Sequence, residues 1–217
     1  MRSRAEVIGI FIIIGLLISN STGYCWDLAI DAEMAHTIQE PMVIAEDDEA
    51  SGGLYVWMEG PPATGGGDQG WAEFNINIPD AGTYALWGKV FVWDGNSDSF
   101  WVTWQPADPN EDAQVTKNTQ YRWSIGTKNE WHWDRINHWL NGGTFEREWE
   151  FDSAGETTLR IAVREDAAKL DVVFITDNLS DNVDDVNPRD PTTEDISTPV
   201  EPQEKLTTRW GKIKSQR

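Results

Sequence analysis

The 217-residue sequence has only one cysteine and three histidines, so it offers few of the side chains that commonly act as catalytic groups or metal ligands. A single cysteine cannot form an internal disulfide bond, and the sequence contains no zinc-ligand spacing, nucleophile elbow or phosphate-binding loop. Paired carboxylates suit a glycosidase, but among 37 acidic residues such pairs do not indicate catalysis. A glycan-active enzyme is therefore an alternative function, although no catalytic motif in the sequence supports it.

Basic residues are also scarce. The chain has 17 Lys and Arg residues, a formal net charge of −20 and an isoelectric point near 4.3. Nucleic-acid phosphates require a basic surface, so nucleic acid is excluded as a partner. Anionic membrane surfaces are disfavoured for the same reason.

Only one long hydrophobic run is present, from Val7 to Ile18, and it follows Arg2 and Arg4. This is the layout of a signal peptide, predicted over residues 1–25, and the run is short for a transmembrane helix. We therefore expect an exported protein, secreted or on the cell surface, with no transmembrane span in the mature chain. A retained anchor and a lipidated Cys25 are the alternatives.

Strand patterns are abundant, and three consecutive ones lie between Gly70 and Trp104. In the first, Ala72, Phe74, Ile76 and Ile78 alternate with more polar residues, which is the period of a strand with one buried face. Pro79–Gly82 and Asp94–Asn96 are turn sequences that separate it from the second and third strands. The pattern predicts three antiparallel strands joined by hairpins at the centre of the protein.

Helical periodicity is almost absent from the rest of residues 26–179. Short strand patterns with turns every eight to twelve residues predict an all-β sandwich. The segment Asn129–Leu140 fits either a strand or a helix. The last strand, Leu170–Thr176, is apolar on both faces except for Asp171, and a buried acid needs a partner.

The C-terminal part has a different composition. Residues 180–204 are rich in Asp, Pro and Thr and are predicted to be an extended acidic linker. Residues 205–217 are basic, and Leu206, Trp210 and Ile213 would share one face of a short helix. We expect this tail to dock on the acidic face of its own domain or on an anionic cell-envelope component. A disordered tail without function is the alternative.

Two features suggest binding. Asp31 and Glu33 are two residues apart, so a strand would project both carboxylates from one face. Either this face is solvated, or a cation or an Arg neutralises the two like charges. The chain also has thirteen Trp residues, more than a core of this size requires. Several of them are therefore predicted to lie at the surface.

The chain resembles the carbohydrate-binding modules of families 6 and 35 between Ile30 and Asp177. The resemblance is carried by Asp31-Ala32-Glu33, by Ser51–Val56, by the sequence AGTYALWGKV and by the closing strand LDVVFIT. It implies a jelly-roll β-sandwich of the galactose-binding-like type, whose first and last strands are neighbours. It also implies a structural Ca²⁺ held by Asp31, Glu33 and Asp171, which are hard oxygen donors.

The resemblance further implies that sugar rings stack on aromatic residues near turns and that polar side chains bind the hydroxyl groups. The candidates are Tyr55, Trp57, Trp93, Trp131 and Trp133, with Asp94, Asn96 and Asp98 as hydrogen-bonding partners. For each Trp, packing in the core or at a sheet edge is the alternative, and this packing role is expected for Trp87 and Trp101 because they lie in mid-strand.

Lys169 stands where family 6 modules often have an Asn that binds sugar. This departure either moves the site elsewhere or favours an acidic sugar. The predicted function is that of an exported, non-catalytic protein that binds a polysaccharide or glycan. A structural or adhesive surface domain that binds no sugar is the alternative.

Overall fold

The computed structural model describes residues 25–60, 67, 69–106, 120–140, 143–146 and 148–197. The predicted signal peptide, apart from Cys25, and the predicted basic tail lie outside the described residues. Within the described ranges, no helix has both the length and the apolar character needed to cross a membrane.

Most of the described residues are in β-strands. In chain order, the strands are β1 (Asp27–Asp31), β2 (Thr37–Gln39), β3 (Met42–Glu46), β4 (Leu54–Met58), β5 (Trp71–Ile78), β6 (Gly82–Val92), β7 (Ser99–Gln105), β8 (Gln120–Ser124), β9 (Lys128–Arg135), β10 (Asn137–Leu140), β11 (Gly143–Glu146), β12 (Glu148–Phe151), β13 (Gly155–Val163) and β14 (Lys169–Thr176). The helices are short: α1 (Val183–Val186), α2 (Thr193–Ser197) and the 3-10 turns Ala32–Met34 and Ser51–Gly53.

Two antiparallel sheets enclose the core, as the all-β sandwich prediction requires. The first sheet has the order β12-β6-β14-β4-β3, with β1 also beside β14 and β9 beside β6. The second sheet has the order β2-β5-β13-β7-β8, and β10 pairs with β11. β1 and β14 are neighbours, with Ile30 opposite Val173, so the predicted contact between the first and last strands is confirmed.

The three central strands exist where the sequence placed them, but the predicted hairpin pairing is wrong. β6 belongs to the first sheet, whereas β5 and β7 belong to the second. Each intervening turn therefore carries the chain across the core. The physical reason is burial, because Phe74 and Ile76 of β5 and Leu86 and Val90 of β6 all join the same core cluster from opposite sheets.

The two sheets approach closely at Gly88 of β6. A Cβ atom at this position would lie 2.2 Å from the ring of the fully buried Trp123 on β8. The indole N–H of Trp123 donates to Asp134 at 2.7 Å, so this large ring is buried without losing its hydrogen bond. The segment that fitted either a strand or a helix consists of strands β9 and β10.

The segment 178–197, here called the C-terminal clasp, differs from the extended linker expected from residue 180 onwards. It packs on the outer face of the first sheet, where Ala29, Trp87, Val172 and Phe174 form a second buried apolar cluster. Val186 of the clasp and Trp133 of β9 pack against this cluster. The clasp thus covers the second apolar face of β14.

Ion pairs fix the clasp to the sheet. The buried guanidinium of Arg135 donates to the carbonyl oxygens of Leu179 and Ser180 and binds the carboxylate of Asp181. Arg189 bridges Asp27 of β1 and Asp195 of α2. The acidic composition of this segment indicated a solvated linker, but several of its charges have partners in the domain.

Asp195 is the most strongly bound acid of the clasp. It accepts hydrogen bonds from the backbone N–H of Ala29 at 3.3 Å, from the N–H of Thr192 at 2.7 Å and from Arg189 at 2.6 Å. Burial works to raise the pKa of Asp195, but the bonds from Arg189 and Thr192 outweigh it and lower the pKa from 3.8 to about 2.

Removing the clasp is expected to destabilise the domain. A chain ending at Asn178 loses the cover of the second apolar cluster and the hydrogen bonds that the clasp carbonyls accept from Arg135. The exposure of apolar surface and the loss of these charge-assisted hydrogen bonds should lower the free energy of unfolding by about 3 kcal/mol, measured by urea denaturation. A chain ending at Ser197 is the control and should keep the stability of the full chain. Equal stability of the two truncated chains would contradict the assignment of the clasp to the domain.

Asp195→Asn should weaken the protein in a pH-dependent way. Because the pKa of Asp195 is lower in the folded state than in the unfolded state, its contribution is present above pH 3.8 and is lost as the pH falls towards 2. The variant should therefore lose about 2 kcal/mol of unfolding free energy at pH 7, and the difference from the wild type should shrink to near zero at pH 2. A difference that stays constant over this range would show that the charge of Asp195 does not stabilise the fold.

Candidate functional site

Five aromatic residues meet at one end of the first sheet and form the aromatic cluster: Tyr55, Trp57, Phe91, Trp93 and Trp131. Their rings touch in pairs, with centroid distances of 5.6 Å between Tyr55 and Trp131, 4.6 Å between Phe91 and Trp93, and 5.8 Å between Phe91 and Trp131. Tyr55 is buried, whereas the other four rings are partly exposed. The cluster therefore presents ring surface to solvent.

Strand alternation and register bring the cluster together. Tyr55 and Trp57 project from the same face of β4, because side chains two residues apart in a strand share a face. Lys169 of β14 lies between Trp57 of β4 and Phe91 of β6 in the register of the sheet. The cluster is thus assembled across neighbouring strands, with a lysine in the middle.

Lys169 lies among all five rings, although only 8 % of the residue is exposed. Its ammonium group is within the range of a cation–π interaction with each ring centroid. The distances are 4.5 Å to Tyr55, 4.9 Å to Phe91, 5.5 Å to Trp93, 5.7 Å to Trp131 and 6.0 Å to Trp57.

Asp47 supplies the opposite charge. Its Oδ2 atom accepts a hydrogen bond from Lys169 Nζ at 3.1 Å. Burial works to raise the pKa of Asp47, but the hydrogen bonds from the Glu49 N–H and from Lys169 outweigh it and hold the pKa below its usual value. The site therefore combines partly exposed aromatic rings with a charged pair.

Two predicted sugar-binding residues do not join this cluster. Trp133 packs on Phe174, with a centroid distance of 6.1 Å, beside the clasp. The Asp98 N–H donates to Glu165 at 3.0 Å, and burial, followed by the effect of Glu165, raises the pKa of the Asp98 carboxyl to about 6. Asp98 therefore faces Glu165. The sequence around Asp98 did not indicate Glu165 as its partner, because the two residues are far apart in the chain.

Asp94 and Asn96 follow Trp93 in the same loop. Asp94 accepts a hydrogen bond from the Asn96 N–H at 2.8 Å, and this bond shapes the turn that was predicted here. Asn96 is exposed and Asp94 is partly exposed. Both residues belong to the loop that carries one ring of the cluster.

Phe91 and Asp47 were not predicted as site residues. Phe91 lies two residues before Trp93, so strand alternation was a usable signal. Asp47 lies in a run of four acidic residues, Glu46–Glu49, a pattern typical of a solvated loop, and only the tertiary structure pairs it with Lys169.

Two further Trp residues lie on the outer face of the second sheet. Trp71 and Trp101 are both opposite the small residue Ala162. Arg160 lies 4.5 Å from the ring centroid of Trp71, and Arg164 lies 5.6 Å from that of Trp101. Trp101 is therefore partly exposed and packs beside Arg164, whereas Trp87 is buried in the core.

The predicted calcium ligands lie elsewhere on the first sheet. Asp31 ends β1, and Glu33 lies in the following 3-10 turn, so the two do not share a strand face as the spacing suggested. Asp171 of β14 is fully buried, and its carboxylate accepts hydrogen bonds from the Ser51 N–H and from Lys89 Nζ, each at 2.9 Å. Asp171 thus has the partner that a buried acid needs.

The carboxylates of Asp31, Glu33 and Asp171 form an incompletely neutralised group. Burial, followed by the charges of Asp31 and Asp171, raises the pKa of Glu33 to about 7, and burial raises the pKa of Asp171 to about 6. Asp31 Oδ1 and Glu33 Oε2 are buried without a hydrogen-bonding partner. Hard oxygen atoms with this deficit of positive charge suit Ca²⁺.

The present arrangement does not form a complete metal cage. In the part of the chain that the structure describes, no group of three or more His, Cys, Asp or Glu side chains is placed to hold a metal ion. The Lys89 ammonium stands against Asp171 and already supplies one positive charge. The donor chemistry therefore fits calcium, while a lysine occupies one of the donors.

No family model and no curated protein matches this chain, but solved structures do. The C-terminal CBM6 of LamC, a laminarinase from Zobellia galactanivorans, matches with 17% identity over 69% of this chain and 98% of its own, at a TM-score of 0.43. A family 35 carbohydrate-binding module from Clostridium thermocellum matches with 15% identity over 69% of this chain and 97% of its own, at a TM-score of 0.48.

A third match is the module CBM6cm-2 of Cellvibrio mixtus lichenase 5A, in complex with cellotriose. It shares 16% identity over 68% of this chain and 94% of its own, at a TM-score of 0.47. Identities and TM-scores this low do not transfer a ligand or a site. These three structural neighbours are carbohydrate-binding modules of the two families that the sequence of this chain resembles.

Proposed function

We propose that this chain is an exported, non-catalytic carbohydrate-binding protein that binds its glycan at the aromatic cluster. The observation that carries the proposal is the convergence of four partly exposed rings, from three strands and one loop, beside a charged pair. The apolar C–H face of a pyranose stacks on an aromatic ring, and polar side chains bind its hydroxyl groups. Asp94 and Asn96, in the loop after Trp93, are the polar candidates nearest in the chain.

Lys169 favours a saccharide that carries an acidic group. Its ammonium is paired with Asp47, and a carboxylate on the ligand would exchange with Asp47 and form a charge-assisted hydrogen bond. The net charge of −20 opposes such a ligand at long range. Exposed charges beyond about 8 Å are largely screened at physiological salt, however, so the local contact dominates.

We also propose that Ca²⁺ stabilises the mature domain through Asp31, Glu33 and Asp171. The support is the pair of buried oxygen atoms without partners on Asp31 and Glu33, together with the resemblance of the sequence to modules with a calcium there. The ion would neutralise carboxylates that the fold brings together and would have a structural role.

A structural or adhesive surface domain is the second candidate function. The observation in its favour is that Lys169 itself fills the middle of the aromatic cluster, so the rings have a partner without any sugar. A glycan array that includes neutral and uronic-acid polysaccharides separates the two functions. Binding of one glycan class supports the carbohydrate-binding protein, and the absence of binding supports the structural domain.

Trp131→Ala should abolish glycan binding and leave the fold intact, because the Trp131 ring is partly exposed in the cluster. Trp133→Ala is the matched control, since Trp133 lies two residues away in the same strand but packs on Phe174. The control should keep binding while its melting temperature falls. Affinity gel electrophoresis and thermal melting measure the two effects. Loss of binding in the control alone would place the site elsewhere.

Calcium should raise the melting temperature of the domain in proportion to the logarithm of its concentration, because it binds only the native state. About 2.7 kcal/mol of stabilisation is expected at a hundred times the dissociation constant. The Asp31→Asn variant should show a smaller shift. The same melting curve in excess chelator and in millimolar calcium would contradict the proposed ion.

A further inference from the structure

We propose that Lys89 is an internal competitor of calcium for Asp171, and that Asp190 of the C-terminal clasp sets the strength of this competition. The inference rests on the calcium site proposed above and adds what determines its affinity. It assigns a role to a lysine that neither sugar binding nor the core requires.

Lys89 stands between two carboxylates. Its Nζ atom is 2.9 Å from Oδ2 of the fully buried Asp171 and 2.9 Å from Oδ1 of Asp190, with Oδ2 of Asp190 at 3.1 Å. The Lys89 side chain is 14% exposed, and that of Asp190 is 50% exposed. One ammonium group therefore connects the proposed ion site to the clasp.

The position of Lys89 explains why the three carboxylates do not form a metal cage. Asp171 is satisfied by the Ser51 N–H and by Lys89, whereas Asp31 Oδ1 and Glu33 Oε2 have no partner. A divalent cation bound by all three residues would lie close to the Lys89 ammonium. Like charges at such distances repel, so the ion binds only if Lys89 moves away from Asp171.

Asp190 offers Lys89 an alternative carboxylate partner when Lys89 leaves Asp171. The Asp190 side chain is half exposed whereas Asp171 is fully buried, so the ammonium can leave Asp171 towards solvent without losing all of its charge partners. The clasp itself stays attached through Arg135 and Arg189. Calcium affinity is therefore coupled to the clasp through the contact between Lys89 and Asp190.

The test is calcium titration by isothermal calorimetry on the full mature chain at constant pH. Lys89→Met keeps the apolar stem of the side chain and removes its charge, so calcium no longer has to displace an ammonium group. The calcium affinity should therefore rise by about tenfold, which corresponds to the loss of one modest ion pair. In chelator the variant should melt at a lower temperature than the wild type, because Asp171 is then buried without a cation. Calcium should restore its stability.

Asp190→Asn is the second variant and remains informative even if Lys89→Met does not fold. It removes the alternative partner, so Lys89 is held more firmly at Asp171, and calcium affinity should fall several-fold. Asp184→Asn is the matched control, because Asp184 is an exposed acid on the same clasp and the change of charge is identical. Its calcium affinity should equal that of the wild type.

The outcomes separate the inference from the function on which it rests. If the wild type binds calcium but Lys89→Met binds it no more tightly, or if Asp190→Asn and Asp184→Asn behave alike, the competition is disproved and the calcium site stands. If neither the wild type nor any variant binds calcium, the proposed ion is wrong, and the inference falls with it.

Discussion

Burial of both faces of β14 is the constraint on which the rest of this structure depends. All eight residues of the strand are buried, and it pairs with β6 on one side and with β4 and β1 on the other. Leu170, Val173 and Ile175 face the core between the sheets, while Val172 and Phe174 form the second apolar cluster. An antiparallel sheet usually leaves one face to solvent, so this strand requires a second cover. The clasp provides it.

Two charged residues interrupt the same buried strand, and each candidate site is built around one of them. A buried charge is costly unless it is paired. Lys169 is paired with Asp47 and surrounded by aromatic rings, and Asp171 is paired with Lys89. The rings and the carboxylate group therefore occupy neighbouring parts of one sheet because the fold must neutralise two charges two residues apart. The groups that could bind a ligand at each site are therefore the same groups that neutralise Lys169 and Asp171.

The clasp has a similar physical origin. Its acidic residues would keep the segment solvated if they were alone, but Arg135 and Lys89 of the sheet pair with Asp181 and Asp190. Arg189 of the clasp in turn pairs with Asp27 of β1. Val186 of the clasp is partly buried and covers the second cluster. Charge pairing with little apolar burial attaches the segment firmly enough to order it and leaves most of its surface polar.

The sequence by itself determined the class of fold and most strand positions, because alternation and turn residues are local signals. It also placed Tyr55, Trp57, Trp93 and Trp131 as candidates and indicated that Asp171 needed a partner. Only the tertiary structure decided that β5 and β6 lie in different sheets, that Trp133 packs under the clasp, and that Asp47 and Phe91 join the cluster. These facts depend on contacts between residues far apart in the chain, whose partners no local pattern specifies. The clasp was missed for the same reason, since an acidic, proline-containing composition has the same local signature whether its charges face water or the basic residues of a sheet.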